Sequence, residues 1–335
     1  MNAPSSAFAL EVTDLNKAFG GLKVTQGVSL AIRPGERRLI IGPNGAGKTT
    51  LFNQISGDLR PNSGQIRMFG EDVTRLSPYQ RAHRGLSRTY QIITLFGGDT
   101  LEHNVTLGLL GLLPSRWQMW RPLSSYRHLA TEAQRTLDSV GLLHLADHSV
   151  SELAYGEKRR LELAMALAQK PRVLLLDEPL AGLSDGERAT VKALVASISK
   201  DTTVVMIEHD MDTALDLAET VTLLNYGRVI VDGERDQVIA DERTREVYRR
   251  KREAMLPALA RAGVRVAGSE ATMYLWLETP AGESSEALAE RLLEHGLIVS
   301  PGTFFGPSGD GYWRLALVPT QAECERAAEI LERVL

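Results

Sequence analysis

Apolar and polar positions in the first two thirds of the chain predict strands that alternate with helices. Its first segments, "FALEVTDLNKAF" and "GVSLAI", are β-rich. The apolar run "RRLII" is typical of a buried strand, and it leads through "GPNGAGKTT" into a helix that starts "KTTLFNQISG". A second buried strand, "RVLLLDEP", ends in two acidic residues. This order favours an α/β fold with a parallel sheet.

The last third of the chain has a pattern of its own. A charged helical segment, "DERTREVYRRKREAMLPALARAG", is followed by the strand "TMYLWLE", the helix "EALAERLLEH" and the short strand "LIVS". The long segment "SPGTFFGPSGDGYWRLALVPT" then supplies a loop and a strand, and Thr320 and Glu323 predict a capping box for a closing helix. These elements predict a separate small α/β domain.

Composition narrows the classes of protein that fit. The 335 residues are 43% hydrophobic and 24% charged, which is enough for two domains with cores of their own. A net charge of −4 without a lysine or arginine block argues against nucleic acid as a partner. The single Cys324 rules out an internal disulfide and fits a reducing compartment. We expect neither a signal peptide nor a membrane span.

A phosphate-binding loop is the strongest chemical motif. The pattern GxxxxGK[ST] spans Gly42–Thr49, with a strand before it and a helix after it. Its glycines let the backbone turn tightly and aim N–H groups at phosphate oxygens. Lys48 is expected to neutralise the β- and γ-phosphates, and the Thr49 hydroxyl to bind Mg²⁺. The predicted ATP contacts here are Gly42, Asn44, Gly45, Gly47, Lys48, Thr49 and Thr50.

Two carboxylates complete this motif. Asp177 and Glu178 follow a buried strand, and the carboxyl ends of parallel strands are where open sheets bind ligands. Asp177 is expected to hold Mg²⁺, and Glu178 to accept a proton from the attacking water. An acidic pair at a strand end also fits a solvated turn, but its pairing with the phosphate-binding loop favours the catalytic interpretation.

Four motifs in order, "GPNGAGKTT", "LAYGEKRR", "LLLDEP" and "IEHD", resemble those of the ATP-binding cassette (ABC) ATPases over residues 8–246. The resemblance implies an ABC-type nucleotide-binding domain over 1–246, with a helical subdomain at about 92–150. It also implies a head-to-tail dimer in which a signature sequence caps the ATP of the partner subunit. The residues that match the signature are Ala154, Tyr155, Gly156 and Glu157.

This signature departs from the commoner LSGGQ, since Ala154 lacks the serine hydroxyl that would touch the γ-phosphate. The variant LAYG is similar to that of the ATPases of branched-chain amino-acid importers. The resemblance further implies that Gln91 contacts Mg²⁺ or water, that His209 stabilises the γ-phosphate, and that Phe19 stacks on adenine. Alternatively, Phe19 is an aromatic residue of the hydrophobic core. Trp117 and Trp120 fit a surface that faces the permease or the membrane, or a local core.

Residues 247–335 resemble the C-terminal small domain of fold type I aminotransferases, the pyridoxal-phosphate (PLP) enzymes, especially those of the diaminopimelate branch. The matching segments are "YRRKREAMLPAL", "SEATMYLWL" and "SPGTFFGPSGDGYWRLALVPT". The resemblance implies that Arg314 once gripped a substrate carboxylate. The large domain that carries the PLP lysine has no counterpart here, so PLP and transamination are not expected. Ligand binding, dimerisation and an inert fusion remain open for the tail.

The sequence therefore predicts a cytoplasmic ATPase, peripheral to the inner face of the cell membrane, that uses ATP and Mg²⁺. Its expected partners are a second cassette, identical or paralogous, transmembrane permease subunits and, indirectly, an extracytoplasmic solute-binding protein. The predicted role is import of branched-chain or related amino acids, or of amides such as urea. The alternatives are an exporter ATPase of the lipopolysaccharide type and a non-transport ABC protein.

Overall fold

The computed structural model describes residues 7–90, 95–117, 120, 126–208, 214–268, 274–317 and 319–335. Contacts between Cα atoms divide the chain into two compact units. The first unit comprises Met1–Ile41, Gly47–Thr222 and Tyr226–Arg228, and the second comprises Gly42–Ala46, Leu223–Asn225 and Val229–Leu335. None of the helices in the described part of the chain has both the length and the apolar character that a membrane span needs.

The strands of the described residues form three sheets, with the orders β2-β1-β4-β5, β10-β9-β3-β8-β7-β6 and β11-β12-β14-β13. In chain order the strands are β1 (Leu10–Phe19), β2 (Leu22–Ile32), β3 (Arg37–Ile41), β4 (Ser63–Met68), β5 (Glu71–Asp72), β6 (Leu86–Arg88), β7 (Val173–Asp177), β8 (Thr203–Ile207), β9 (Thr220–Asn225), β10 (Arg228–Glu234), β11 (Val266–Gly268), β12 (Tyr274–Glu278), β13 (Ser300–Pro301) and β14 (Tyr312–Ala316).

Helices connect and cover these sheets. In chain order they are α1 (Lys48–Ser56), α2 (Pro78–Ala82), α3 (Leu101–Gly111), α4 (Arg127–Ser139), α5 (Tyr155–Ala168), α6 (Asp185–Ser197), α7 (Arg235–Ala240), α8 (Glu242–Arg261), α9 (Ser285–Glu294) and α10 (Gln321–Val334). Helices α3 and α4 of the predicted helical subdomain pack with α5, which follows it, around a core that includes Leu101, Val105, Leu137 and Leu161. The limits of that subdomain stay a prediction.

The parallel part of the central sheet sets the position of the site. Every residue of β7 and β8 is buried, as expected for parallel strands covered on both faces. In the register of the sheet, Ile207 at the end of β8 pairs with Ile40 of β3 on one side and with Asp177 of β7 on the other. The phosphate-binding loop after β3 and the acidic pair after β7 therefore leave the sheet at the same edge.

The second unit contains an antiparallel sheet with helices α8, α9 and α10. Its core includes Tyr248, Met255, Leu259, Leu292 and the fully buried Trp313. Thr320 and Glu323 make the predicted capping box. Helix α8 runs without a break through residues 246 and 247, where the sequence predicts the domain boundary, and that boundary stays a prediction.

Candidate functional site

The phosphate-binding loop has a backbone that only glycine adopts easily. The φ angles of Gly42, Gly45 and Gly47 are 149°, 76° and 98°. A Cβ atom on Gly42 would lie 2.1 Å from the carbonyl oxygen of Leu224, and one on Gly47 would lie 2.5 Å from that of Val24. The loop therefore needs glycine both for its dihedral angles and for its close backbone contacts.

Helix α1 begins at Lys48, directly after this loop, and presents an uncapped N-terminus. Gly47 occupies the N-cap position, no side chain caps the helix, and its first turn has no acidic residue. The first N–H groups of such a helix and its partial positive charge favour an anion. Lys48 is buried, whereas Asn44 and Thr49 are exposed and Thr50 is half-buried. The loop and helix thus combine the donors and the charge that phosphate groups require.

Asp177 ends β7 as a buried carboxylate with one oxygen engaged. Its Oδ2 accepts a hydrogen bond from the Arg88 guanidinium at 2.7 Å, whereas its Oδ1 is buried and has no hydrogen-bond partner among the described residues. An unpaired buried carboxylate oxygen is costly, and a hard cation such as Mg²⁺ would satisfy it. The geometry of Asp177 therefore fits the predicted metal ligand. Sequence reasoning missed Arg88, because no motif marks it.

Glu178 follows in a strained backbone conformation. Its φ angle is 50°, which is uncommon for a residue with a side chain, and its N–H donates to the carbonyl of Ile207 at 2.9 Å. The chain therefore leaves the strand conformation immediately after Asp177. Glu178 is largely buried, with 9% of its surface exposed, which excludes the solvated turn as an explanation of the acidic pair.

The signature residues lie at the N-terminus of α5. The Ala154 N–H donates to the Glu157 carboxylate at 2.9 Å, and the Gly156 N–H donates to the Glu187 carboxylate at 3.1 Å. The pKa of the Glu187 carboxyl is lowered, mainly because this carboxylate accepts a hydrogen bond from the Ser184 hydroxyl. Tyr155 is exposed. An anionic group thus already occupies a signature amide, and sequence reasoning did not anticipate this contact.

The remaining predicted residues differ in what the structure shows of them. Phe19 is 50% exposed at the end of β1, which rules out a core role and leaves its ring accessible. Gln91 and His209 lie outside the described residues. Trp117 and Trp120 are 75% and 98% exposed, so neither anchors a local core within the described part of the chain.

Arg314 of the second unit is enclosed by aromatic rings. Its guanidinium carbon lies 4.1 Å from the centre of the Tyr274 ring and 4.2 Å from that of Phe305, and only 7% of the residue is exposed. Such stacking stabilises a cation and fixes the plane of its donors. The predicted carboxylate-binding residue is therefore held rigidly and is nearly buried.

Comparison with known proteins finds a match to a family profile in each part of the chain. The profile of the family described as ABC transporter matches residues 25–181, and that of aminotransferase class I and II matches residues 223–331. The second match supports the aminotransferase-like character of the tail at the level of the family alone. It also begins before residue 247, where the sequence predicts that the tail starts.

Among curated relatives, the high-affinity branched-chain amino acid transport ATP-binding protein BraF of Pseudomonas aeruginosa is 36% identical over 236 residues, in an alignment that covers 68% of this chain and 92% of BraF. The lipopolysaccharide export system ATP-binding protein LptB of Haemophilus influenzae is 31% identical over 240 residues, which are 71% and 96% of the two chains. Among solved structures, the ADP conformation of MJ1267, an ATP-binding cassette of an ABC transporter, aligns with a TM-score of 0.65 at 29% identity. That alignment covers 72% of this chain and 98% of MJ1267, and it confirms the predicted ABC fold.

Proposed function

Because the chain belongs to the ABC transporter family of ATP-binding subunits, we propose that it powers the import of branched-chain or related amino acids, or of amides such as urea. The protein is an ATPase, as members of its family are. The observation that carries the site assignment is that β3, which leads into the glycine loop, and β7, which ends at the half-engaged Asp177, end at the same edge of the sheet. The LAYG signature and the similarity to BraF favour import.

The residues divide the work of ATP hydrolysis between them. The loop amides from Gly42 to Thr50 cradle the phosphates, and Lys48 neutralises their charge. Thr49, Asp177 and Gln91 would hold Mg²⁺, which stabilises negative charge on the phosphates when bound. The exposed Phe19 ring stacks on adenine.

Glu178 activates the attacking water and His209 stabilises the γ-phosphate. We expect Glu178→Gln to lower the rate of phosphate release by about 10²-fold or more, since a general base contributes at least that much. Its affinity for ATP should stay near that of the unchanged protein, because the loop is intact. The exposed Glu152 offers a control, since Glu152→Gln should leave hydrolysis unaltered. Hydrolysis by Glu178→Gln at the unchanged rate would remove Glu178 from this role.

The active form is a dimer of cassettes, in which Ala154, Tyr155, Gly156 and Glu157 of one cassette close on the ATP of the other. The subunit binds permease chains at the cytoplasmic face of the membrane, and a solute-binding protein delivers the solute to them from outside. With ATP, Glu178→Gln should accumulate a dimer in light scattering. Uptake of labelled leucine by cells should fall with the same substitution. Unchanged leucine uptake together with impaired lipopolysaccharide export would favour the LptB-like alternative.

The tail over 247–335 is proposed to be an accessory domain like the small domain of the diaminopimelate-branch aminotransferases, with Arg314 as its vestigial carboxylate site. The specific observation is the aromatic enclosure of Arg314, which holds a guanidinium in one plane for a two-pronged contact. The test is the ATPase rate of the full chain with a panel of amino acids that includes diaminopimelate. A response that Arg314→Ala abolishes supports a sensor, and no response supports an inert or dimer-forming tail.

A further inference from the structure

Arg159 is a buried arginine in the motif "LAYGEKRR", and the resemblance assigns it no role. It lies in the second turn of α5, within the first unit, and only 3% of its surface is exposed. Its guanidinium donates to three consecutive carbonyl oxygens, those of Asp177, Glu178 and Pro179, with distances of 2.8 Å to the first and 3.2 Å to the last. A planar fork with five donors can engage several acceptors at once, which an ammonium cannot reproduce.

These three carbonyls flank the strained turn at Glu178. A φ angle of 50° is strained for a residue with a side chain, so the turn persists only where its surroundings hold it. On one side the N–H of Glu178 is held by Ile207, and on the other side the carbonyls are held by Arg159. The direction of the Glu178 side chain therefore depends on the backbone contacts of Arg159.

The same arginine also holds the residue before Gln91. Arg159 donates to the carbonyl of Tyr90 at 2.9 Å, and the carboxylate of Glu162, one turn further along α5, accepts the Tyr90 N–H at 2.8 Å. Glu162 also accepts a hydrogen bond from Arg159. Side chains of α5, the helix that begins at the signature, thus hold both the N–H and the carbonyl of Tyr90. The same helix holds the turn at Glu178.

We propose that Arg159, oriented by Glu162, is a positioning residue that aligns Glu178 for catalysis and fixes the backbone of Tyr90. This rests on the proposed role of Glu178 as general base. Displacement of a catalytic group by about 1 Å can cost up to about 10²-fold in rate. Loss of the guanidinium fork should therefore lower turnover, while the phosphate-binding loop keeps its affinity for ATP.

The test compares Arg159→Lys with Arg81→Lys in the full chain. Arg81 is a matched control, because it is 1% exposed and donates to four backbone carbonyls, those of Gln54, Ile55, Thr74 and Leu76, away from the catalytic turn. We expect Arg159→Lys to lower kcat by about tenfold or more and to keep the KM and the Kd for ATP within about twofold. Arg81→Lys should lower the melting temperature of the protein about as much as Arg159→Lys does, but it should retain kcat.

An unchanged kcat in Arg159→Lys, or an equal loss of kcat in both variants, would overturn the proposal. If Arg159→Lys does not fold, Glu162→Gln provides the second test, since it keeps an oxygen for the Tyr90 N–H but loses the charge that orients Arg159. It should lower kcat without a change in KM, and an unchanged kcat overturns the proposal. Glu178→Gln separates the two hypotheses. If that variant still turns over, the proposed base is wrong, whereas an unchanged Arg159→Lys beside an inactive Glu178→Gln refutes the positioning role alone.

Discussion

Two glycines of the phosphate-binding loop should respond very differently to alanine, although both have left-handed φ angles. At Gly45, with φ 76°, an added Cβ meets nothing within 4 Å. At Gly47, with φ 98°, an added Cβ would lie 2.5 Å from the carbonyl oxygen of Val24. Val24 belongs to β2, which pairs with β1 in the first sheet. Only the second substitution therefore adds a steric clash to the conformational cost.

The expected losses of unfolding free energy follow from these contacts. Gly45→Ala should cost about 1 kcal/mol, from the dihedral angle alone. Gly47→Ala adds about 1–3 kcal/mol, because β2 must shift to relieve the overlap. In a domain of this size, each kcal/mol lowers the melting temperature by about 2–4 °C. Gly47→Ala should therefore melt well below Gly45→Ala.

The assay is thermal unfolding without nucleotide, monitored by circular dichroism, so that lost ATP binding does not enter the comparison. Equal melting temperatures for the two alanine variants would refute the reasoning, because they would mean that the Val24 carbonyl gives way at no cost. A lower melting temperature for Gly45→Ala than for Gly47→Ala would contradict it more strongly.

Two further predictions concern buried charge and the signature. Burial lowers the pKa of Lys251 from 10.5 to about 8, so between those pH values the unfolded chain binds more protons and stability should rise with pH, by at most about 1.4 kcal/mol per unit. Urea unfolding should lose this slope in Lys251→Met, and a slope of the same size would contradict the assignment. Because Glu187 occupies the Gly156 amide, Glu187→Ala in a Glu178→Gln background should form the ATP-dependent dimer at a lower ATP concentration in light scattering. A requirement for more ATP would show that Glu187 assists closure.

Local chemistry explains why much of the site could be predicted. The phosphate-binding loop is contiguous from Gly42 to Thr49, so its pattern is visible without any knowledge of the fold. Asp177 and Glu178 follow a buried strand, but their sequence also fits a solvated turn, and only their pairing with the phosphate-binding loop favoured the catalytic interpretation. The capping box at Thr320 involves residues three apart, and the structure contains it.

Contacts between distant segments explain what the sequence did not reveal. Arg88 meets Asp177 across 89 positions, and Gly156 meets Glu187 across 31. Neither pair has a fixed spacing, since each depends on how strands and helices are packed. The sequence did not decide whether Phe19 lies in the core or contacts a ligand. Phe19 ends a strand, where the alternation of buried and exposed positions gives no answer.

The continuity of α8 has a consequence for limited proteolysis. The helix carries Arg249, Arg250, Lys251 and Arg252 in a row, which would be a preferred trypsin site in an extended linker. Proteases bind their substrates in extended form, so a helix with Tyr248 and Met255 packed in a core must unfold locally before it is cut. Trypsin should therefore spare this basic run under native conditions, and fragments that end at residues 249–252 should be absent from the early digest.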